Sequence, residues 1–266
     1  MSKTTTLPNV RKMFIPDDGY TIFDVDLAGA DAQVVAYEAE DEDLIRAFAA
    51  GLDVHSKNAE DLWGPAFTKL AGDKDNGPKS KKRKECKQGV HATNYGGSAR
   101  TLAKVLGWTV AEAESFQRRW FSIHPGIKSN FHGRIDASLR ASRMVTNRFG
   151  NRRVYFDRID SCFTEALAWV PQSTVAEVSF RGGLQLEIAT GTEFDGRGNL
   201  VKTGWVEMLL QVHDSLVFQV RHQNENRVAE LRAGLRYPIP YAKPLTIQWG
   251  IARSRISWGD CEAVAA

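Results

Sequence analysis

The chain has 266 residues, of which 42% are hydrophobic and 25% charged, values that are ordinary for a globular protein with a sizeable core. The formal net charge is only +3, so affinity for a polyanion must come from local basic clusters. Three scattered cysteines without a CxxC spacing argue against a disulfide scaffold or a cysteine zinc site. No apolar run predicts a membrane span or a signal peptide, and we expect a cytoplasmic protein.

In chain order, the first predicted element is a strand at 20–27, entered from a turn-like sequence at 16–19. The predicted helices are 30–51 with a break near Asp41, 54–64, 79–97, 99–107, 111–122, 125–142, 160–189 with a kink at Pro171, and 223–235. Hairpins are predicted at 144–156 and 205–221, a loop at 71–78 and a last strand at 244–250. This order predicts an α+β protein of two lobes.

The sequence LLQVHDSLVFQV at 209–220 interrupts two apolar strands with a polar centre. Because Asp and Ser favour turns, an ordinary β-turn is one interpretation of this centre. A tight turn would also hold Asp214 rigidly at the end of a sheet, where a divalent cation needs an oxygen ligand. A site for two cations requires a second carboxylate on a neighbouring strand.

The sequence FDVDLAGADAQ at 23–33 offers that second carboxylate. Asp24 and Asp26 are two residues apart on the predicted strand, so their side chains point to the same face. Asp26 stands where the strand gives way to a helix and can project from the sheet end. The alternative is that Asp26, with Asp31 nearby, caps the next helix. The matching context of Asp214 favours a cation-binding pair.

A basic segment, RKECKQGVHATNYG at 83–96, places Arg83, Lys87, His91 and Tyr95 four residues apart. We call these four residues the basic stripe, because a helix presents them on one face as two cations followed by two rings. The cations can hold a triphosphate and the rings can stack on a sugar or base. A solvated basic face or a nuclear-localisation-like run would explain the lysines, but not the Tyr-Gly that ends the stripe.

These motifs resemble the polymerase region of family A DNA polymerases, from about Leu7 to the C-terminus. DVDLAGADAQVV looks like motif A, Arg-x3-Lys-x7-Tyr-Gly matches the spacing of motif B, and QVHDSLVFQV is similar to motif C. The resemblance implies a palm, which is an antiparallel sheet with packing helices, at 1–40 and 144–266. It implies a helical fingers lobe at 41–143, with the thumb and exonuclease domains absent.

In this family two carboxylates hold two Mg²⁺ ions, for which Mn²⁺ can substitute, and the matching positions are Asp26 and Asp214. One ion would lower the pKa of the primer 3′-hydroxyl, and the other would bind the triphosphate and stabilise the pyrophosphate leaving group. The backbone carbonyl of Leu27 is expected to be a further ligand. The resemblance therefore implies template-directed DNA synthesis, in which dNTPs are added to the primer 3′-hydroxyl of primer–template DNA.

The resemblance also assigns contacts to the nucleotide and to the DNA. For the nucleotide these are Arg83 and Lys87 on the triphosphate, with Lys87 also a proton donor to pyrophosphate, His55 on a phosphate, His91 and Tyr95 as stacking rings, and Asp31 against the ribose 2′-hydroxyl. For the DNA they are His213 near the primer terminus, Gln172 on a minor-groove acceptor and Arg152 on the backbone. Asp31 is one methylene shorter than the family's usual Glu, so we expect looser sugar discrimination.

Since no thumb or exonuclease-like domain precedes motif A, we expect the catalytic part of a split or truncated, phage-like polymerase in a bacterial or phage-infected cell. A second chain would supply the missing domains. The alternatives are a non-catalytic DNA-binding or assembly subunit and an RNA-synthesising relative. The joint presence of Asp26, Asp214, Arg83, Lys87 and Tyr95 argues against the first, and a carboxylate at Asp31 argues against the second.

Overall fold

The computed structural model describes residues 9–64 and 78–264, and their packing divides them into two units. The sheet unit combines Met1–Ala30 with Val175–Ala266, as far as these ranges are described, and the helical unit is Asp31–Thr174. The palm and fingers boundaries expected from the sequence, at 40 and 143, stay a prediction beside this division.

The strands are β1 (Tyr20–Leu27), β2 (Met144–Thr146), β3 (Arg152–Val154), β4 (Glu193–Phe194), β5 (Leu200–Lys202), β6 (Val206–Val212), β7 (Ser215–Arg221), β8 (Trp249–Ser254) and β9 (Glu262–Ala263). The α-helices are α1 (Ala30–Glu38), α2 (Glu42–Ala49), α3 (Val54–Trp63), α4 (Pro78–Asn94), α5 (Ala99–Leu106), α6 (Val110–Ile123), α7 (Gly133–Ser142), α8 (Ile159–Ala189) and α9 (Val228–Gly234). A π-helical segment, Ile127–His132, precedes α7. No helix among the described residues is long and apolar enough to cross a membrane.

The main sheet of the sheet unit has five antiparallel strands in the order β6-β7-β1-β8-β9. The central strand β1 buries the consecutive residues Ile22 and Phe23, whose side chains lie on opposite faces, so both faces are covered. Phe23 stacks on its cross-strand partner Phe218, with ring centroids 5.5 Å apart. Near the end of β1, Asp26 is exposed. The sheet is therefore a packed support that carries a carboxylate at its rim.

The helical unit is built around an apolar core in which Trp120, Phe131 and Leu167 are fully buried. Capping residues mark the first turns of two of its helices. Asp41 accepts a hydrogen bond from the Leu44 N–H at 3.0 Å and caps α2, and the Thr109 and Glu112 side chains form a capping box at the start of α6.

Most of the predicted elements are confirmed, including the first strand, the break near Asp41, the basic helix, the hairpin around Gly150 and the hairpin that contains Asp214. Pro171 lies inside α8, which is one continuous helix. The predicted loop at 71–78 lies outside the described residues except for Pro78, where α4 begins.

Three predicted elements differ from the structure, two in where they begin and one in its continuity. The strand predicted at 244–250 begins only at Trp249, as β8, because Leu245 instead pairs with Ile239 in an isolated bridge, and the unpredicted β9 follows it. The last helix begins at Val228, after a short 3₁₀ turn at His222–Asn224. The predicted helix 125–142 is interrupted by the π-helical segment, where the Asn130 amide donates to the Ala39 carbonyl at 2.9 Å.

Candidate active site

The register of β1 and β7 brings the two predicted carboxylates to the same end of the sheet. Asp26 lies directly opposite Ser215, and Asp214 is the turn residue that immediately precedes Ser215. The Leu27 N–H donates to the backbone carbonyl of Asp214 at 3.2 Å, so the two backbones touch at this point. Asp26 is exposed and Asp214 is half-buried. We call this pair the carboxylate centre.

The turn that carries Asp214 is held in an unusual conformation. Val212 pairs with Ser215, which leaves a two-residue loop whose first residue, His213, has a φ of 56°. Such tight hairpin loops require a positive φ, which glycine adopts more easily than other residues. An exposed imidazole at this position is therefore held at a conformational cost, which is common at functional sites.

Ser215 holds one oxygen of the carboxylate centre in place. Its hydroxyl donates to Asp26 Oδ1 at 2.8 Å. On the other side, β8 places Gly250 opposite Asp26, so this neighbour adds no side chain beside the carboxylate. The sequence alone does not reveal this contact, because it depends on the register of the two strands.

Asp24, which shares the sheet face of Asp26, has a different environment. Its Oδ2 accepts a hydrogen bond from the Trp258 indole at 2.8 Å and lies 3.8 Å from the Arg11 guanidinium. Of the two aspartates on β1, only Asp26 is adjacent to the turn with Asp214.

In the helical unit, α4 carries Arg83, Lys87 and His91 at the predicted helical spacing, and Tyr95 follows in the next turn of the chain. The Tyr95 N–H donates to the His91 carbonyl at 3.2 Å, which continues the helical pattern. The rings of His91 and Tyr95 meet edge to face, with centroids 4.5 Å apart. The two rings of the basic stripe are therefore neighbours, as the sequence predicts.

Arg83 makes a two-point ion pair that the sequence did not reveal. Its Nε and Nη2 donate to the two carboxylate oxygens of Asp53, at 2.7 and 2.8 Å. Burial raises the pKa of Asp53, but hydrogen bonds from Arg83 and Ser56 outweigh this effect and hold the pKa well below its usual value. Asp53 is thus charged at neutral pH and fixes the orientation of the guanidinium. The signal available in the sequence was its position immediately before α3, two residues from His55.

The His55 imidazole is close enough to the stripe for the charges of Arg83 and Lys87 to act on it. Burial, together with the charges of Lys87 and Arg83, lowers its pKa to about 4. Its Nδ1 is buried and has no hydrogen-bond partner among the described residues. An anion bound beside this neutral imidazole would be stabilised by the charges of Arg83 and Lys87.

Asp31 and Tyr95 form a second contact that connects α1 with the end of the stripe. The Tyr95 hydroxyl donates to Asp31 Oδ2 at 2.8 Å. Burial and the neighbouring Asp31 carboxylate both raise the pKa of Tyr95, so the phenol stays protonated. Asp31 therefore spans the distance to Tyr95 even though it is one methylene shorter than Glu.

The remaining predicted DNA contacts are solvent-accessible. Gln172 is exposed on α8 and Arg152 is exposed on β3, both in the helical unit, whereas His213 belongs to the sheet unit. Their roles stay predictions.

Comparisons with known proteins show what the chain is similar to. Relatives include DNA polymerase I of Pseudomonas aeruginosa, 26% identical over 91% of this chain and 25% of that protein. DNA polymerase I of Rhizobium leguminosarum is 30% identical over 81% of this chain and 20% of that protein. The thermostable DNA polymerase I of Thermus thermophilus is 27% identical over 93% of this chain and 28% of that protein. The chain thus spans about a quarter of the length of these curated relatives.

A similar fold occurs in a solved structure described as the POL domain of Pol1 from M. smegmatis in complex with DNA primer-template and dNTP. The TM-score is 0.77 at 21% identity, over 95% of this chain and 42% of that chain. This likeness confirms the predicted mixture of helices and antiparallel sheet. The family model described as DNA polymerase family A matches residues 2–254, and the chain belongs to that family.

Proposed function

We propose that this chain carries the catalytic part of a template-directed DNA polymerase, which adds dNTPs to the 3′-hydroxyl of a primer paired with a template. The observation that carries the proposal is the register of β1 and β7, which puts Asp26 and Asp214 at one sheet end. The chain belongs to DNA polymerase family A. By the resemblance of their surroundings to motifs A and C, these two residues would be that family's paired carboxylates.

The carboxylate centre fits the divalent cations that the family implies. Its donors are carboxylate oxygens, which Mg²⁺ prefers, and Asp26 is exposed at the rim of the sheet. Asp26, Asp214 and the Leu27 carbonyl would hold two Mg²⁺ ions, which Mn²⁺ can replace. When bound, such ions supply activation of a hydroxyl nucleophile and neutralisation of phosphate charge. The Ser215 hydroxyl keeps Asp26 Oδ1 in position for this role.

The basic stripe would bind the triphosphate. Arg83, oriented by Asp53, and Lys87 provide two cations on one helix face, and His55 adds a ring nitrogen beside them. Guanidinium and ammonium groups form strong charge-assisted hydrogen bonds with phosphate oxygens. Lys87 is exposed and would donate a proton to the departing pyrophosphate.

Asp31 and Tyr95 would select the sugar and support the new base pair. Their hydrogen bond holds the phenol ring in one position, edge to face with His91. A carboxylate beside the sugar would obstruct a ribose 2′-hydroxyl, because the added oxygen would meet a fixed negative group. His213, Gln172 and Arg152 would contact the primer–template duplex.

Nucleotide kinetics test the role of the stripe. We expect Lys87→Ala to raise the KM for dNTP about tenfold or more, because one charge-assisted hydrogen bond is lost, while primer–template affinity changes little. Lys84→Ala, an exposed lysine of the same helix outside the stripe, is the matched control. A loss confined to DNA binding would make the stripe an ordinary basic surface.

A separate comparison of rNTP with dNTP incorporation tests Asp31. Equal incorporation of rNTP and dNTP would contradict the proposed role of Asp31.

A second chain that supplies a thumb and exonuclease-like domain remains part of the proposal. Purification of the tagged protein from its native cells tests it. A stoichiometric second polypeptide would support a split enzyme, and a protein that purifies alone with full activity would refute it.

A further inference from the structure

Away from the basic stripe, the helical unit gathers two carboxylates and an imidazole in one place. One potential ligand atom from each of Asp43, Asp61 and His124 lies within 4.8 Å of the other two. Asp43 stands in the first turn of α2, Asp61 near the end of α3, and His124 directly after α6. Three separate parts of the chain converge here, and the proposed polymerase mechanism uses none of these side chains.

The His124 imidazole of this cluster is fully buried, and only one of its two ring nitrogens has a hydrogen-bond partner among the described residues. His124 Nδ1 lies 2.8 Å from Asp41 Oδ2, whereas Nε2 is buried without a hydrogen-bond partner among the described residues. Asp41 is itself fixed by the Leu44 N–H. When Nδ1–H donates to a carboxylate, the other ring nitrogen carries a lone pair, which is how metal-binding histidines are commonly oriented. A buried lone pair without a partner needs an explanation, since such groups are rare in folded proteins.

The same cluster already attracts a cation from its own chain. Lys57 Nζ lies 2.5 Å from Asp43 Oδ2 and 2.6 Å from Asp61 Oδ2. An ammonium at this point shows that the two carboxylates favour positive charge between them. Lysine has a long flexible stem, so its head group can leave for solvent when another cation arrives.

We propose that Asp43, Asp61 and His124 form a binding site for a divalent transition-metal cation of the zinc class. One imidazole nitrogen and two carboxylate oxygens suit Zn²⁺ or Co²⁺ better than Mg²⁺, and water completes the coordination. The positive end of the α2 dipole opposes a cation near Asp43, so the affinity depends on His124 and Asp61. The bound ion would connect α2, α3 and the chain after α6, and it would stabilise the helical unit.

Cation binding to the full chain tests the proposal directly. The protein should carry Asp26→Asn and Asp214→Asn, so that the carboxylate centre does not contribute. We expect one equivalent of Zn²⁺ by equilibrium dialysis and a visible Co²⁺ absorption band. Asp61→Asn should abolish both signals, and Asp136→Asn, an acidic side chain paired with Arg140 on α7, should leave them unchanged. No stoichiometric binding, or binding that survives Asp61→Asn, would overturn the proposal.

Lys57 gives a second test that leaves all three proposed ligands in place. Lys57→Met removes the competing ammonium and should tighten Zn²⁺ binding about tenfold, whereas Lys57→Arg, which keeps the charge, should not. Unchanged affinity in Lys57→Met would mean that the bound ion does not replace Lys57 between Asp43 and Asp61, and it would overturn the proposal. These measurements read out cation binding rather than DNA synthesis, so this inference and the polymerase proposal can fail separately.

Discussion

The ion pair between Asp53 and Arg83 makes a quantitative prediction about the basic stripe. Two charge-assisted hydrogen bonds join the pair at 2.7 and 2.8 Å, and each side chain is 23% exposed. A hydrogen bond to a charged group contributes about 1.5–3 kcal/mol when buried, and an exposed ion pair about 0.2–1 kcal/mol. The bidentate geometry with partial exposure lies between these limits. We therefore expect a coupling free energy of about 1–2 kcal/mol.

A double-mutant cycle measures this coupling. The wild type, Asp53→Asn, Arg83→Gln and the double variant are unfolded with urea and followed by tryptophan fluorescence at pH 7. The non-additive part of the free energies of unfolding is the coupling. A value below about 0.3 kcal/mol, within the usual additivity of independent sites, would refute the argument that Asp53 orients Arg83.

The pH dependence of the coupling follows from the direction of the pKa shift. Burial raises the pKa of Asp53, but the hydrogen bonds from Arg83 and Ser56 lower it further, so the folded pKa lies below the unfolded one. The stabilisation is then fully present above the unfolded pKa and is lost as pH falls through the folded value. The coupling should therefore be the same at pH 7 and pH 5. A coupling already lost at pH 5 would contradict the structure.

Three further predictions concern single residues. His213→Gly should raise the free energy of unfolding by about 1 kcal/mol, because glycine relieves the positive φ of the turn, and urea unfolding that shows no gain would contradict this. Gly126→Ala should lower the free energy of unfolding by about 2 kcal/mol, because a Cβ there would collide with the Ala39 carbonyl oxygen, whereas Gly133→Ala has room and should be nearly neutral. The pKa of His55, followed by NMR, should be about 4 in the free protein and rise when dNTP is added; a free-protein value near 6.5 would contradict the described burial.

The carboxylate centre could be predicted because its determinants are local. A strand period of two, a junction with a helix and a turn rich in polar residues are visible in the sequence around Asp26 and Asp214. Their proximity then follows from the pairing of β1 with β7. The basic stripe is equally local, since a helix of known period sets the spacing from Arg83 to Tyr95.

The contacts that these residues make could not be predicted, because each contact joins two segments that are distant in sequence. Asp53 meets Arg83 across 30 residues, and Asp31 meets Tyr95 across 64. The hydrogen bond from Ser215 to Asp26 depends on strand register, which no single segment specifies. The β4–β5 hairpin was not predicted, although the turn-forming residues DGRGN at 195–199 indicate it. In the structure, Asp195 accepts a hydrogen bond from the Asn199 N–H in this turn.

Primer extension tests the central claim most directly. The protein, purified together with any second polypeptide that stays bound to it, is supplied with Mg²⁺, dNTPs and primer–template DNA at low salt, and the wild type is compared with Asp26→Asn, Asp214→Asn and Asp24→Asn. The Asp24 variant is a matched control, because it changes a carboxylate on the same strand face that is bound to Trp258. We expect extension by the wild type and Asp24→Asn, and none by the other two. Extension that survives in Asp26→Asn or Asp214→Asn would contradict the carboxylate centre as the catalytic site.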